Sequence, residues 1–391
     1  MLTQRQLFLN HVAQTSETPL ALEIERAEGV YLIDRSGKKY IDLISGISVS
    51  NVGHRHPNVI RAIQQQLDRY LHLMVYGEYI QAPQVKLASL LTQALPANLN
   101  SVYFVNSGAE AIEGAMKLAK RFTGRTEIIS FKNAYHGSTQ GSLSIMGSEE
   151  FKNAFRPLLP DIRMLEFNNF SQLNEITEKT ACVFVEPIQG EAGAIVPQGD
   201  FLKQLSARCK SVGALLVADE IQTGFGRTGK LFGFEHFDFI PDIICIAKGM
   251  GGGMPLGAFV SSKEMMHSLT NNPMLGHITT FGGHPVSCAA GIAVIEVLQA
   301  ENLIPEVEKK EKLIRELLIH PRIRSINGKG LLLAVEFESF AENKRIIDKC
   351  IEAGVVTDWF LFNSHSMRIA PPLTITEKQI RAACEIIVKC I

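Results

Sequence analysis

Three uninterrupted apolar runs constrain this chain more than any other feature: Ala181-Cys182-Val183-Phe184-Val185, Ala214-Leu215-Leu216-Val217-Ala218 and Ile243-Ile244-Cys245-Ile246-Ala247. A strand with one wet face alternates apolar and polar residues. A run without alternation is buried on both faces, as in a parallel sheet covered by helices on either side. Further strands are predicted at 101–105, 128–131 and 256–260, and the segment 109–122 places Ile112, Ala115, Ala119 and Phe122 on one helical face. Strands alternating with helical segments predict an α/β fold. Upstream, 29–34 and 37–42 read as a small hairpin and 57–72 as a helix begun by Pro57. A long helix is predicted over 286–300, and beyond it strands near 331–337 and 355–361 and helices near 341–353 and 376–390. The expected organisation is an N-terminal segment, 1–48, packed with a small C-terminal domain, 289–391, around a large domain, 49–288.

Bulk composition removes several classes of function. With 46% hydrophobic and 20% charged residues the chain can bury a sizeable core, and a net charge of −1 without polybasic runs gives no pull toward nucleic acid or anionic membranes. No segment approaches the ~20 apolar residues of a membrane span, and the N-terminus lacks a signal-like pattern, so a soluble cytoplasmic protein is expected. The seven cysteines include no CxxC pair and sit mostly in apolar runs, which reads as free thiols in a reducing compartment.

In open α/β sheets, ligands collect at the carboxyl ends of the strands, and four such ends carry unusual residues. Asn106-Ser107-Gly108-Ala109-Glu110 is a glycine turn opening a helix, which can cradle a phosphate with backbone N–H groups and the Ser107 hydroxyl; by itself such a pattern is more often only a cap and turn. Asp219 ends a buried strand and needs a partner, either a protonated ring nitrogen or an arginine, unless it caps the next helix. Lys248, before Gly249-Met250-Gly251-Gly252-Gly253, is either a lysine snorkelling beside a flexible loop or an amine made nucleophilic by desolvation. Glu186-Pro187-Ile188-Gln189-Gly190-Glu191 adds two carboxylates and an amide. A phosphate cradle, an acid for a pyridine nitrogen and a lysine for an aldehyde together match one ligand, pyridoxal 5′-phosphate.

From Gly29 to about Ile387 the chain resembles the class III (ω-amino acid) aminotransferases of the fold-type-I pyridoxal-phosphate enzymes, on the side of the acetylornithine and ornithine aminotransferases. The resemblance is carried by Asn51-Val52-Gly53-His54-Arg55-His56-Pro57, Asn106-Ser107-Gly108-Ala109-Glu110-Ala111, Tyr135-His136-Gly137, Glu186-Pro187-Ile188-Gln189-Gly190-Glu191, Asp219-Glu220-Ile221-Gln222-Thr223-Gly224, Ala247-Lys248-Gly249, Thr280-Phe281-Gly282-Gly283 and Arg368-Ile369-Ala370-Pro371-Pro372-Leu373. It implies a three-layer αβα large domain with a mainly parallel sheet, plus a smaller α+β domain. It implies that Lys248 bonds the cofactor aldehyde and shuttles the proton, that Asp219 pairs with the ring nitrogen, and that Gln222 binds the ring hydroxyl. Ser107, Gly108 and Ala109 would hold the phosphate, Tyr135 or His136 would stack on the ring, and Glu186 would support Gln222 or Asp219. Thr280 would reach the phosphate of a second subunit, which implies a homodimer with shared sites. Arg368 would bind the α-carboxylate of glutamate, with Glu191 as a gate that masks it when an ω-amine donor occupies the pocket. The implied reaction is ping-pong transfer from a donor such as N-acetylornithine or ornithine to 2-oxoglutarate, as in arginine biosynthesis. The alternatives are a 4-aminobutyrate or ω-amino acid:pyruvate transaminase, or an aminomutase of the glutamate-1-semialdehyde kind.

Two positions depart from that pattern. Acetylornithine and ornithine enzymes commonly carry an arginine after His-Gly, where this chain has Ser138, which brings no charge. The tyrosines that grip ornithine are matched here by Ile47 and, loosely, Glu17. His54 and His56 find no third ligand in the sequence, so no metal is expected.

Overall fold

The computed structural model describes residues 2–391. The uninterrupted apolar runs form the middle of a seven-stranded sheet, ordered Ser101–Val105, Gly257–Ser261, Ile243–Ile246, Leu215–Asp219, Thr180–Val185, Glu127–Phe131 and Ile162–Leu165. Every pairing is parallel except those of Gly257–Ser261, which runs antiparallel to both its neighbours. All residues of Thr180–Val185, Leu215–Asp219 and Ile243–Ile246 are buried.

The pleat divides those residues between two cores. Cys182, Phe184, Leu215, Val217, Ile243 and Cys245 face one core, covered by the helix Gly108–Thr123 through Ala111, Ile112, Ala115 and Ala119. Val183, Val185, Leu216, Ala218, Ile244 and Ile246 face the other, which contains Leu202 and Leu205 of the helix Phe201–Val212 and much of Pro285–Ala300. Helix, sheet and helix thus make three layers. Helix and sheet approach closely where Gly114 stands, since a Cβ there would lie 2.3 Å from the Phe259 ring. The helix Gly108–Thr123 starts with the Ser107 hydroxyl accepting from the Glu110 N–H and stops at Gly124, whose φ of 69° is left-handed.

Two smaller sheets complete the chain. One is antiparallel, in the order Ser325–Lys329, Leu332–Glu336, Asn363–Ile369, Trp359–Phe360. The other joins Ile24–Glu28, Tyr31–Asp34 and Lys39–Asp42 to Val355–Val356, the last pairing being parallel. Three sequence expectations change. The hairpin gains a third strand, Ile24–Glu28, which is too exposed to carry an apolar pattern. The strand expected over 355–361 is two short strands in different sheets, separated by Thr357 and Asp358. The helix begun by Pro57 ends at Leu67.

A buried cation ties these parts together. The Arg227 guanidinium donates to the carbonyls of Leu331 and Pro371, to Ser45 Oγ and to Asn51 Oδ1 at 2.5–3.2 Å. Burial pulls its pKa down to about 9, against the opposing pull of Asp42. Asn51 in turn donates to the Phe225 carbonyl, and a Cβ on Gly249 would lie 2.6 Å from the Asn51 amide nitrogen. One polar knot therefore joins the N-terminal segment, the turn after Lys248 and the chain just beyond Arg368. The seven cysteines are buried and free. His54 pairs with Asp42 and His56 with Glu301, each at 2.8 Å, and no group of His, Cys, Asp or Glu among the described residues is arranged to hold a metal ion.

Candidate active site

At the carboxyl edge of the large sheet lies a cavity of about 510 Å³, a size suited to a cofactor with a small substrate. Its wall includes Ser107, Gly108 and Ala109, Tyr135, His136 and Ser138, Glu186 and Glu191, and Asp219, Gln222 and Lys248. Eleven of the thirteen site residues expected from the sequence thus converge on one space. Arg368 stands behind that wall, bonded to Glu191, and Thr280 is exposed on a loop outside it. That loop is fastened beside the cavity, because Asn106 Nδ2 donates to Thr279 Oγ1 at 3.0 Å and to the Glu110 carboxylate at 2.9 Å.

Lys248 follows the strand Ile243–Ile246 and opens a short 3₁₀ turn with φ of 45°. A side chain in this left-handed region costs on the order of 1 kcal/mol or more, and the surrounding packing has to hold it there. Burial lowers the lysine's pKa, outweighing the opposite pull of Glu191 and Asp219. More of the amine is therefore neutral, and nucleophilic, than on a solvated lysine.

Asp219 is buried at the end of its strand. Its Oδ1 accepts from the Ile221 N–H at 3.0 Å, and its Oδ2 lies 2.7 Å from His136 Nδ1. The other imidazole nitrogen is 3.2 Å from Ser130 Oγ. Both ring nitrogens of His136 are thus engaged with the protein. Tyr135, half-buried, points its hydroxyl to Ser138 Oγ at 3.1 Å. Ser138 itself is exposed, and its hydroxyl brings no charge to replace the arginine absent from that position.

Glu186 is buried and accepts from the N–H groups of Gly190 and Tyr135. Burial, reinforced by the charge of Asp219, raises its pKa well above the usual carboxylate range. Glu220, next to Asp219, turns away from the cavity and accepts the N–H groups of Gly233 and Phe234 at 2.7 and 2.6 Å. Burial takes its pKa up to about 7.

Arg368 and Glu191 form a two-pronged pair, Nη1 to Oε1 at 3.1 Å and Nη2 to Oε2 at 3.0 Å, both side chains being buried. Burial opposes ionisation of Glu191, and the Arg368 charge overrides it, so the carboxyl pKa is lowered. Gln222 Nε2 donates to Glu191 Oε1 at 3.2 Å, and Gly190 leaves room for that amide, since a Cβ at Gly190 would lie 1.6 Å from Gln222 Oε1. Arg368 carries a second carboxylate that sequence reading missed: its Nε donates to Asp358 Oδ1 at 2.7 Å. The available signal was an acid set between the apolar pairs Val355-Val356 and Trp359-Phe360.

The cavity fits pyridoxal phosphate in its chemistry. A helix start provides N–H groups beside a hydroxyl, and close packing keeps that start in place: a Cβ on Gly257 would lie 2.3 Å from the Ser107 carbonyl, and one on Gly137 2.8 Å from the Ala109 Cβ. The same cavity wall carries a buried acid, Asp219, and a half-buried lysine, Lys248.

The family model for class-III aminotransferases matches residues 12–391. The acetylornithine aminotransferase of Methanopyrus kandleri is 38% identical over 376 residues, 95% of this chain and 94% of that one. The acetylornithine aminotransferase of Archaeoglobus fulgidus is 36% identical, covering 96% of this chain and 97% of that one. Among solved structures, the Toxoplasma gondii ornithine aminotransferase, described with partial occupancy of pyridoxal phosphate at its active site, superposes with a TM-score of 0.91 at 30% identity over 98% of this chain and 92% of its own. The chain belongs to the class III aminotransferases and is a pyridoxal-phosphate-dependent transaminase.

Proposed function

We propose that this enzyme moves the terminal amino group of an N-acetylornithine- or ornithine-like donor to 2-oxoglutarate, in two half-reactions that use one cavity in turn. The observation that carries this reading is the pairing of Arg368 with Glu191, which lines the same cavity as Lys248. A guanidinium presents a fork suited to a carboxylate, and Glu191 occupies that fork while the substrate has no carboxylate to place there. When a 2-oxo diacid or its amino product binds, its carboxylate takes the fork and Glu191 moves off. One pocket can then serve two substrates of different charge.

The bound cofactor supplies an aldehyde that takes up the amino group and a protonated ring that draws electrons from the substrate carbon. Lys248 would hold the aldehyde end of the cofactor, and its amine would move the proton at the substrate carbon. Asp219 keeps the ring nitrogen protonated, and His136 orients Asp219. Ser107, Gly108 and Ala109 bind the phosphate. Gln222 would bind the ring hydroxyl, Glu186 ties the backbone at Gly190 to that at Tyr135, and Tyr135 or His136 would cover the ring face.

A homodimer is part of the same proposal, with Thr280 completing the phosphate site of the partner. Its support is an exposed apolar surface around that loop. Phe281 is 54%, Met274 79% and Leu71 62% exposed, and the rings of His72 and Phe281 sit 4.9 Å apart. No helix among the described residues is long and apolar enough to cross a membrane. The buried free thiols support the cytoplasm as location. The uncharged Ser138 favours, as second reading, an ω-amine donor with no carboxylate on that side.

The test is a half-reaction panel. Holoenzyme is mixed separately with N-acetylornithine, ornithine, lysine, 4-aminobutyrate, β-alanine and putrescine, and loss of the cofactor's aldehyde absorbance is followed. Fastest loss with N-acetylornithine or ornithine, reversed by 2-oxoglutarate, is expected. Loss only with putrescine would establish the second reading, and loss with none would end both.

A further inference from the structure

Arg368 is wrapped by one short stretch of chain. Thr357 Oγ1 donates to the Arg368 carbonyl at 2.5 Å, and the Arg368 N–H donates to the Asp358 carbonyl at 2.9 Å. The guanidinium lies over the Phe360 ring, 4.2 Å from its centroid, and Nη2 also reaches the Trp359 carbonyl at 3.4 Å. The same stretch holds the gate, because the Leu361 N–H donates to Glu191 Oε2 at 3.1 Å and the Phe362 N–H to the Glu191 carbonyl at 3.0 Å.

The two carboxylates on Arg368 occupy different sides of it. Glu191, which lines the cavity, takes the Nη1/Nη2 end, and Asp358 takes Nε. Asp358 does not line the cavity, whereas Glu191 does. A substrate carboxylate that replaces Glu191 therefore meets a guanidinium still bonded at Nε. Without that bond, the departure of Glu191 would leave a buried cation with only the Trp359 carbonyl and an aromatic face to hold its angle.

We propose that Asp358 is the positioning residue that keeps the Arg368 fork aimed into the cavity while Glu191 and the substrate carboxylate exchange, so that one carboxylate on this arginine is permanent and the other displaceable. The inference rests on the reading of Arg368 as the carboxylate anchor. Its effect passes through the accepting oxygen of Asp358 and not through its charge. The charge alone would act the other way, since removing an anion beside Arg368 strengthens its attraction for a second anion.

The opposed signs make the test sharp. Glutarate, an unreactive diacid, is titrated into holoenzyme followed by calorimetry. Asp358→Ala should weaken glutarate about tenfold, the scale of a lost hydrogen bond to a charged group. Asp358→Asn keeps an oxygen that accepts from Nε, and should bind glutarate at least as tightly as the parent enzyme. In half-reaction kinetics, Asp358→Ala should raise the KM for glutamate more than it lowers the limiting rate. Unchanged or tighter glutarate binding by Asp358→Ala, or equal weakening by both variants, would overturn the inference. Arg368→Met separates the two levels. If it leaves glutarate binding intact, the anchor reading fails; if it abolishes binding while Asp358→Ala does not weaken it, only the role of Asp358 fails.

Discussion

His136 Nδ1 lies 2.7 Å from Asp219 Oδ2, with both side chains buried. The Tyr135-His136-Gly137 turn is thereby bonded to the end of the strand Leu215–Asp219, and the imidazole is fixed in turn by Ser130 Oγ. A carboxylate in such a place has its direction set by these contacts and by the Ile221 N–H.

Replacing His136 by Phe removes one of the two hydrogen bonds on Asp219. Titration of apoenzyme with pyridoxal phosphate should give a dissociation constant raised about tenfold, the equivalent of one lost bond to a charged group. An unchanged constant would mean that Asp219 needs no support from the imidazole.

Glu191→Ala leaves the Arg368 fork open in every state. The ratio of the glutamate half-reaction rate to the ω-amine half-reaction rate should rise about tenfold, since the charge-assisted bonds to Glu191 no longer compete. Stopped-flow measurement of both half-reactions checks this; an unchanged ratio removes Glu191 from the role of gate.

The lowered pKa of Lys248 has a pH signature. Protonation is weakened by burial, so the neutral amine persists to lower pH than in free lysine, whose value is 10.5. The rate at which apoenzyme takes up pyridoxal phosphate should fall as pH drops through the depressed pKa and level off well below the pH at which free lysine would. A profile still rising as for a solvated lysine would contradict the burial argument.

Arg227→Met removes the guanidinium that satisfies Leu331, Pro371, Ser45 and Asn51. Several buried oxygens lose their donor, and the removal of one buried partner of this kind costs roughly 3 kcal/mol. Urea unfolding followed by circular dichroism should report a loss of that order, and Arg227→Lys should recover only part of it, because an ammonium cannot span the same acceptors.

The centre of the fold was legible because strands buried on both faces write their burial directly into the sequence, as Thr180–Val185 does. Its margins were not. Ile24–Glu28 is solvated along nearly its whole length and carries no apolar rhythm. The helix Ala82–Gln93 buries only Pro83, Leu87 and Leu91 and leaves Val85 exposed, which blurs the helical period. The cavity residues were legible as a set because each follows a strand end, where chemistry-bearing side chains break an apolar pattern. The separate surroundings of Tyr135 and His136 were not: both line the cavity, and the partners that engage the imidazole, Asp219 and Ser130, come from other strands. Asp358 stayed hidden for a similar reason: its partner lies ten residues away, across a strand pairing.

The most direct test of the account is to locate the lysine that holds the cofactor. Holoenzyme is reduced with borohydride, which fixes the cofactor to its lysine, then digested with trypsin and sequenced by mass spectrometry. The label should fall on Lys248 alone, in a peptide spanning 231–263 that trypsin no longer cuts at that residue. A label on any other lysine, with Lys248 still cleaved, would contradict the account at its centre.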